Sequence, residues 1–363
     1  MRLLYFNPEN DLALAANDPH YTPPASALQM ATDLQRLPLR WAKEGDIILL
    51  RDGKIEIKDE RLKIRNERLE MKDRQAQPSL ISHLQSLISH LSSLISPLPW
   101  GWSPLVVRQF REAGVPNECL PTDEEMKAYR DYASRQTAVK LLVRLRDTWP
   151  EPFQSGELIG ESRWCESEAE VMKAVNEYGD MAMLKAPWSG SGRGVHPVKG
   201  RLTDKDTSWI RRILQRQGGV EVEPFYQRII DFAMEFWAEG GQVRYEGLSL
   251  FTTTDGGVYS GNIVASEEEK MRRLSPFVSP KFLSEVREHL LQLLSTSGIP
   301  TWYSGPLGID MMVAKATNVK CKMVNGQWSM VNGQWSMVNG QCSLHPLIEI
   351  NLRMTMGWVA LNL

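Results

Sequence analysis

Near its C-terminus the chain reads Leu347-Ile348-Glu349-Ile350-Asn351-Leu352-Arg353, polar and apolar residues in strict alternation. Side chains of a strand point alternately to opposite faces. This stretch is therefore expected to fold as a strand with Ile348, Ile350 and Leu352 on a core face and Glu349, Asn351 and Arg353 on the other. Gly308-Ile309-Asp310-Met311-Met312-Val313 reads as a neighbouring strand that adds a second carboxylate. Two carboxylates and an amide oxygen suit a hard cation such as Mg²⁺, and a guanidinium suits phosphate. The pattern points to phosphoryl chemistry.

Between these strands a seven-residue unit occurs three times, from Met323 to Ser329, Met330 to Ser336 and Met337 to Ser343. Each copy holds Asn-Gly, a strong hairpin-turn dipeptide, so the block reads as one hairpin turn expanded to three. A second repetitive block, 51–97, has a period of seven. Leu80, Leu84, Leu87, Leu91, Leu94 and Leu98 alternate spacings of four and three, which fits a helical seam or a tandem duplication that is merely helix-compatible. His83 and His90 occupy equivalent repeat positions and read as copies, not metal ligands.

Outside the repeats the pattern is that of an α+β protein. A buried strand over 2–6, a helix over Ala25–Leu37 and a strand over 46–50 form a small α/β piece. Helices follow at Ser103–Gly114, Asp123–Arg135, Ser167–Tyr178 and Pro280–Ser295. Strands are expected at Met181–Lys185, Val195–Val198, Val220–Glu223, Phe232–Ala238, Tyr245–Thr254 and Gly257–Val264. The expected domains are residues 1–50 with 98–121, the repetitive insertion 51–97, and 122–363 with the 323–343 hairpin insertion.

Composition narrows the partners. In 363 residues, 44 acidic and 42 basic side chains nearly cancel, so no overall basic field recruits nucleic acid or an anionic membrane. Cys119, Cys165, Cys321 and Cys342 are scattered without a Cys-x-x-Cys pair, which argues against zinc and against a disulfide framework. The first residues turn polar at Asn7, and no apolar run is long enough to span a bilayer. A cytoplasmic protein is expected.

A second polar motif is Lys185-Ala-Pro-Trp-Ser189-Gly190-Ser191-Gly192-Arg193-Gly194, a lysine at a strand end followed by a glycine-rich loop. Such a loop brings backbone N–H groups close to phosphate. The strand-like residues after it disfavour a P-loop or a dinucleotide fingerprint, and a flap between two strands fits better. Glu221, Glu223 and Phe225 in Glu221-Val-Glu-Pro-Phe-Tyr226 are candidates to flank a purine and hold ribose hydroxyls, with Asp231 and Glu235 as further ribose candidates.

Taken in order, lysine with glycine flap, acidic hinge, Asp strand and Glu-x-Asn-x-Arg strand resemble the ATP-grasp superfamily of carboxylate–amine ligases, from about Pro121 to the C-terminus. The resemblance implies two α+β lobes sandwiching ATP. It implies Mg²⁺, or Mn²⁺ in its place, on Asp310, Glu349 and Asn351, and phosphate contacts from Arg353, Lys185 and Arg193. A further family lysine matches Lys140 best, with Arg135 as rival. The N-terminal piece resembles the small domain that precedes such modules. Substrates would be a small carboxylate and an amine, and a homo-oligomer is left open. A small-molecule kinase and a nucleotide-binding protein without turnover are the alternatives. Relatives generally continue into a closing helix where Met354–Leu363 ends this chain.

Overall fold

The computed structural model describes residues 1–58, 95–150, 157–189, 194–253, 259–315 and 342–363, with the backbone of 330–331 and 334–335. The heptad-repeat expectation lies outside the described residues except at Leu98, which falls in a strand and not in a helix; Gly190, Ser191, Gly192 and Arg193 also lie outside them. The chain divides into two compact units, Met1–Arg130 with the last two residues, and Asp131–Leu361.

The first unit is built on β1 (Arg2–Tyr5), β2 (Ile47–Leu49), β3 (Ile55–Ile57) and β4 (Ser96–Pro99), with α1 (Asn10–Ala16), α2 (Ala25–Asp33) and α3 (Pro104–Glu112). The sheet order is β3-β2-β1-β4. β1 runs parallel to β2 and to β4, while β3 is antiparallel. A central parallel strand has both faces covered, which is why β1 is a continuous apolar run with Leu3 and Leu4 buried. β4 carries Pro97 and Pro99 and sits at the sheet edge, where a missing donor is tolerated. β3 and the first two residues of β4 fall within the 51–97 stretch. The polar residues after β1 are buried and satisfied: the Asn7 side chain donates to the Gly101 carbonyl at 2.8 Å, and Arg51 pairs with Glu9 at 2.6 Å.

The junction falls in α4 (Asp123–Tyr132), and the second unit opens with α5 (Arg135–Thr148). The sequence suggests one helix over Asp123–Arg135. The structure breaks it because the Ser134 hydroxyl accepts from the Gln136 N–H at 3.2 Å and starts a new helix, whose apolar face carries Ala138, Leu141, Leu142 and Leu145.

Two antiparallel sheets follow. The smaller contains β5 (Arg163–Cys165), β6 (Met181–Lys185), β7 (Val195–Lys199) and β8 (Val220–Pro224) in the order β5-β8-β6-β7. Against it pack α6 (Glu168–Tyr178) and α7 (Asp204–Gln217), through Val171, Val175, Ile210 and Ile213 on Leu184, Val198 and Val222. Both helices begin with a capping box, Ser167 with Glu170 and Thr203 with Asp206.

The larger sheet contains β9 (Arg228–Glu239), β10 (Gln242–Thr253), β11 (Tyr259–Asn262), β12 (Gly305–Lys315) and β15 (Cys342–Asn351) in the order β11-β10-β9-β12-β15. Within the middle repeat copy, β13 (Met330–Val331) pairs antiparallel with β14 (Gln334–Trp335). Helices α8 (Glu267–Leu274), α9 (Pro280–Ser295), α10 (Ile299–Trp302) and the C-terminal α11 (Met356–Leu361) complete the unit. Phe232, Met234, Phe236, Leu307, Ile309 and Met311 are buried, each set spaced two apart along its strand. This is the α+β class that the sequence implies, and among the described residues no helix is long and apolar enough to cross a membrane.

Candidate active site

β12 and β15 pair so that Asp310 lies directly opposite Glu349, and Gly308 opposite Asn351. Asp310, Glu349 and Asn351 are each half-buried, so the polar face expected of the closing strand exists. It is shorter than expected, because β15 ends at Asn351 and Arg353 lies in the bend beyond it. Burial, and then the charge of Glu349, raise the Asp310 pKa to about 7, against the opposing effects of Arg353 and an Asn351 hydrogen bond.

The smaller sheet supplies a second charged group. Lys185, the last residue of β6, is opposite Glu221 on β8, and its ammonium is 2.7 Å from Glu223 Oε1. All three side chains are buried. Ser162 donates to Glu221 Oε1 at 2.7 Å. Burial pushes the Glu223 pKa up, and the neighbouring Lys185 opposes that rise. Glu221 and Glu223 are thus not the solvent face of an ordinary strand.

Arg135 joins the two groups. It is buried at the first turn of α5, a helix that packs against β15 and also touches β8. Its guanidinium donates to Glu349 at 2.8 Å and lies 3.9 Å from Glu221 Oε2. Burial works against its charge, yet Glu349, Glu221 and Glu223 outweigh that cost and raise its pKa. Its Nε and Glu221 Oε2 have no hydrogen-bond partner among the described residues. Lys140, the first choice from sequence, is exposed further along α5. The structure therefore brings Arg135, not Lys140, to the cluster. The signal available in the sequence is the Ser134 cap immediately before it.

Ser189 lies 3.5 Å from the Arg135 guanidinium. Gly194 closes the loop base, its carbonyl accepting from the Ala186 N–H at 2.8 Å, and a side chain there would strike Ser189. Phe225 is exposed. Asp231 pairs with Arg228 at 3.0 Å and accepts from Thr253. Glu235 is 1% exposed and accepts from the Thr355 hydroxyl at 2.8 Å. Its carboxyl therefore meets the Thr355 hydroxyl and not open solvent.

Sequence reading does not foresee a patch beside this cluster. Ile159, Tyr226, Met312 and Ala314 pack together with Ile348. The rings of His345 and Tyr226 meet nearly at right angles, with centroids 5.3 Å apart. The histidine is buried, neither ring nitrogen has a partner among the described residues, and burial followed by Lys185 lowers its pKa to about 3. It is neutral near pH 7.

Among the described residues no group of three or more His, Cys, Asp or Glu side chains is placed to hold a metal ion. The donor set at β12–β15 is two carboxylates and an amide. Burial and then the charge of Glu349 disfavour the ionised form of Asp310, and a hard divalent cation completed by other oxygen ligands fits such a set.

No family model matches the sequence, and no curated protein does. Solved structures do resemble the chain. The VanG D-Ala:D-Ser ligase of Enterococcus faecalis shares 13% identity at a TM-score of 0.44, covering 99% of this chain and 90% of that one. The D-alanyl-alanine synthetase A of Vibrio cholerae shares 12% identity at 0.42, over 98% and 88%. The N5-carboxyaminoimidazole synthetase of Staphylococcus aureus, complexed with ADP, shares 12% identity at 0.39, over 63% and 53%. These solved structures are ATP-grasp ligases. The chain spans about half the length of the Staphylococcus aureus enzyme. Every one of these TM-scores is below 0.5, so the case for a function rests on the chain's own residues.

Proposed function

We propose that the second unit is an ATP-dependent ligase of the ATP-grasp type, joining a small carboxylate to an amine. The observation that carries this reading is the Arg135 guanidinium, buried between Glu349 of the larger sheet and Glu221 of the smaller one. It sits among four carboxylates, Glu221, Glu223, Asp310 and Glu349, with buried Lys185 as a further cation of the cluster. Such a charge arrangement suits a polyanion bound together with a divalent cation.

In this reading the β6–β7 loop and Lys185 hold the phosphates, and the apolar patch of Ile159, Tyr226, Met312 and Ile348 takes the base. Mg²⁺, with Mn²⁺ as substitute, would be held by Asp310, Glu349 and Asn351 and would supply charge neutralisation on the phosphates. Arg135, Lys185 and Arg353 orient the transferred phosphoryl group against the carboxylate and offset the negative charge of both. An oxygen of the substrate carboxylate bonds to the γ-phosphorus as the bond to the β-γ bridging oxygen breaks, giving acyl-phosphate and ADP. The amine nitrogen then attacks the acyl carbon, phosphate leaves, and the nitrogen loses a proton. The buried carboxylates keep the cations fixed, so little reorganisation is needed when charge moves.

The test is ADP release by the purified protein with ATP, Mg²⁺ and pooled amino acids and small carboxylates. The reading expects ADP and orthophosphate in equal amounts, both requiring a carboxylate and an amine. ADP without orthophosphate would indicate a kinase. Mg²⁺-dependent nucleotide binding with no ADP from any pool would contradict both.

A further inference from the structure

Glu235, Gly308 and Asn351 form a row across three adjacent strands, since Gly308 pairs with Glu235 on one side and with Asn351 on the other. A Cβ on Gly308 would lie 2.8 Å from Glu235 Oε2 and 3.1 Å from Thr355 Cγ2. A Cβ on Gly357 would strike Glu235 Oε1 and Ser249. The chain beyond β15 therefore folds back over Gly308, and two glycines leave room for it to reach Glu235.

Thr355 makes the junction. Its hydroxyl donates to Glu235 Oε1 at 2.8 Å and accepts from the Trp358 N–H at 2.9 Å, and its carbonyl accepts from the Val359 N–H at 3.1 Å. Arg353 thus sits in a short connector, 352–354, anchored at one end by Asn351 in the sheet and at the other by Thr355. Leu352 and Met354 on either side of it are buried. Arg353 influences both the Asp310 and the Glu235 carboxyl, opposing their raised pKa values. Glu235 Oε2 has no hydrogen-bond partner among the described residues. A buried carboxyl with one acceptor unused is expensive for the fold, which makes it a candidate for a role in positioning.

We propose that Glu235 and Thr355 act as a positioning pair, a clasp that holds the 352–354 connector so that Arg353 is aimed along the Asp310–Glu349–Asn351 face. This rests on the ligase reading, in which Arg353 meets the transferred phosphate. Glu235 does not touch the reacting atoms; it acts through Thr355.

Two measurements test the clasp. The first does not need turnover: phenylglyoxal labelling of Arg353, read by peptide mass spectrometry, in the full-length protein. Thr355→Val and Glu235→Ala should each raise the Arg353 labelling rate about tenfold while leaving exposed Arg211 unchanged, and Thr355→Ser should restore it. An unchanged Arg353 rate, or a rise at every arginine, overturns the proposal.

The second is steady-state ADP release. Thr355→Val should lower kcat about tenfold or more with KM for ATP within about twofold, and add nothing to Arg353→Ala, because residues acting as a unit are non-additive. Multiplicative losses in the double variant would mean a merely structural contact. If the wild-type protein releases no ADP, the ligase reading fails, and the labelling result still decides the clasp.

Discussion

Glu235 shows how far one buried residue sets a local pH response. Burial, partly offset by the Thr355 hydrogen bond, raises its pKa to about 8. The folded protein then holds a proton that the unfolded chain has released anywhere between the ordinary carboxylate range and about 8. Stability from this group is accordingly highest on the acid side and is lost as pH rises through that window. Glu235→Gln removes the titration. The gap between wild type and the Gln variant, followed by urea midpoints from about pH 5 to about pH 9, should move steadily against the wild type and flatten at the top. Parallel curves would contradict the assignment. Gly357→Ala tests the same contact sterically. The added methyl has no space against Glu235 and Ser249, so a loss of about 1–3 kcal/mol is expected in the same melts. None of this is legible in the sequence. Glu235 stands among Phe232, Met234 and Phe236 as a surface residue of a half-buried strand would, and only the return of residues 352–361 over the sheet seals it.

Elements with a strong local signal are readable, and those that depend on a distant partner are not. The β6 strand with its lysine, the β8 carboxylates and the β12–β15 pair follow from period-two alternation and turn residues, and the structure places them in register. Helices α1, α5 and α7 are not among the sequence expectations. Helix α1 lies in a stretch that reads as a polar turn, and α5 directly follows another helix. Arg135 therefore stands behind Lys140 on sequence alone, although the decisive feature, a Ser134 cap that aims the first turn of α5 at Glu349, is local once the break is recognised. Ser134→Ala should cost about 1 kcal/mol, as should Ser167→Ala at the start of α6. Only the first should also weaken ATP binding, since only it loosens Arg135. Calorimetric titration of both variants checks this, and equal effects on affinity would contradict it. Deleting 323–336 removes two of the three repeat copies and retains Lys315 and Cys342, which pair at the base of the hairpin. ATP affinity should then stay within about twofold, as expected if the repeat copies take no part in the site. A larger loss in the same titration would make the repeat part of the site.

At the scale of the whole molecule, the two units have different chemistry. The polar residues of the first unit, Asn7, Glu9 and Arg51, find their partners within that unit. In the second unit, carboxylates from two sheets converge on Arg135 and Lys185. The sequence indicates this site because its residues come in a fixed order along the chain. It does not show that Arg135, not Lys140, joins Lys185 there, because that depends on how α5 packs against β15. The central claim, that the face bearing Asp310, Glu349 and Asn351 supports phosphoryl transfer, is tested most directly by Mg²⁺-dependent ADP release from Glu349→Gln alongside the wild type. The variant should still fold, melting somewhat lower because buried Arg135 loses a charged partner, and release ADP at least about a hundredfold more slowly. Undiminished ADP release from Glu349→Gln would contradict the account.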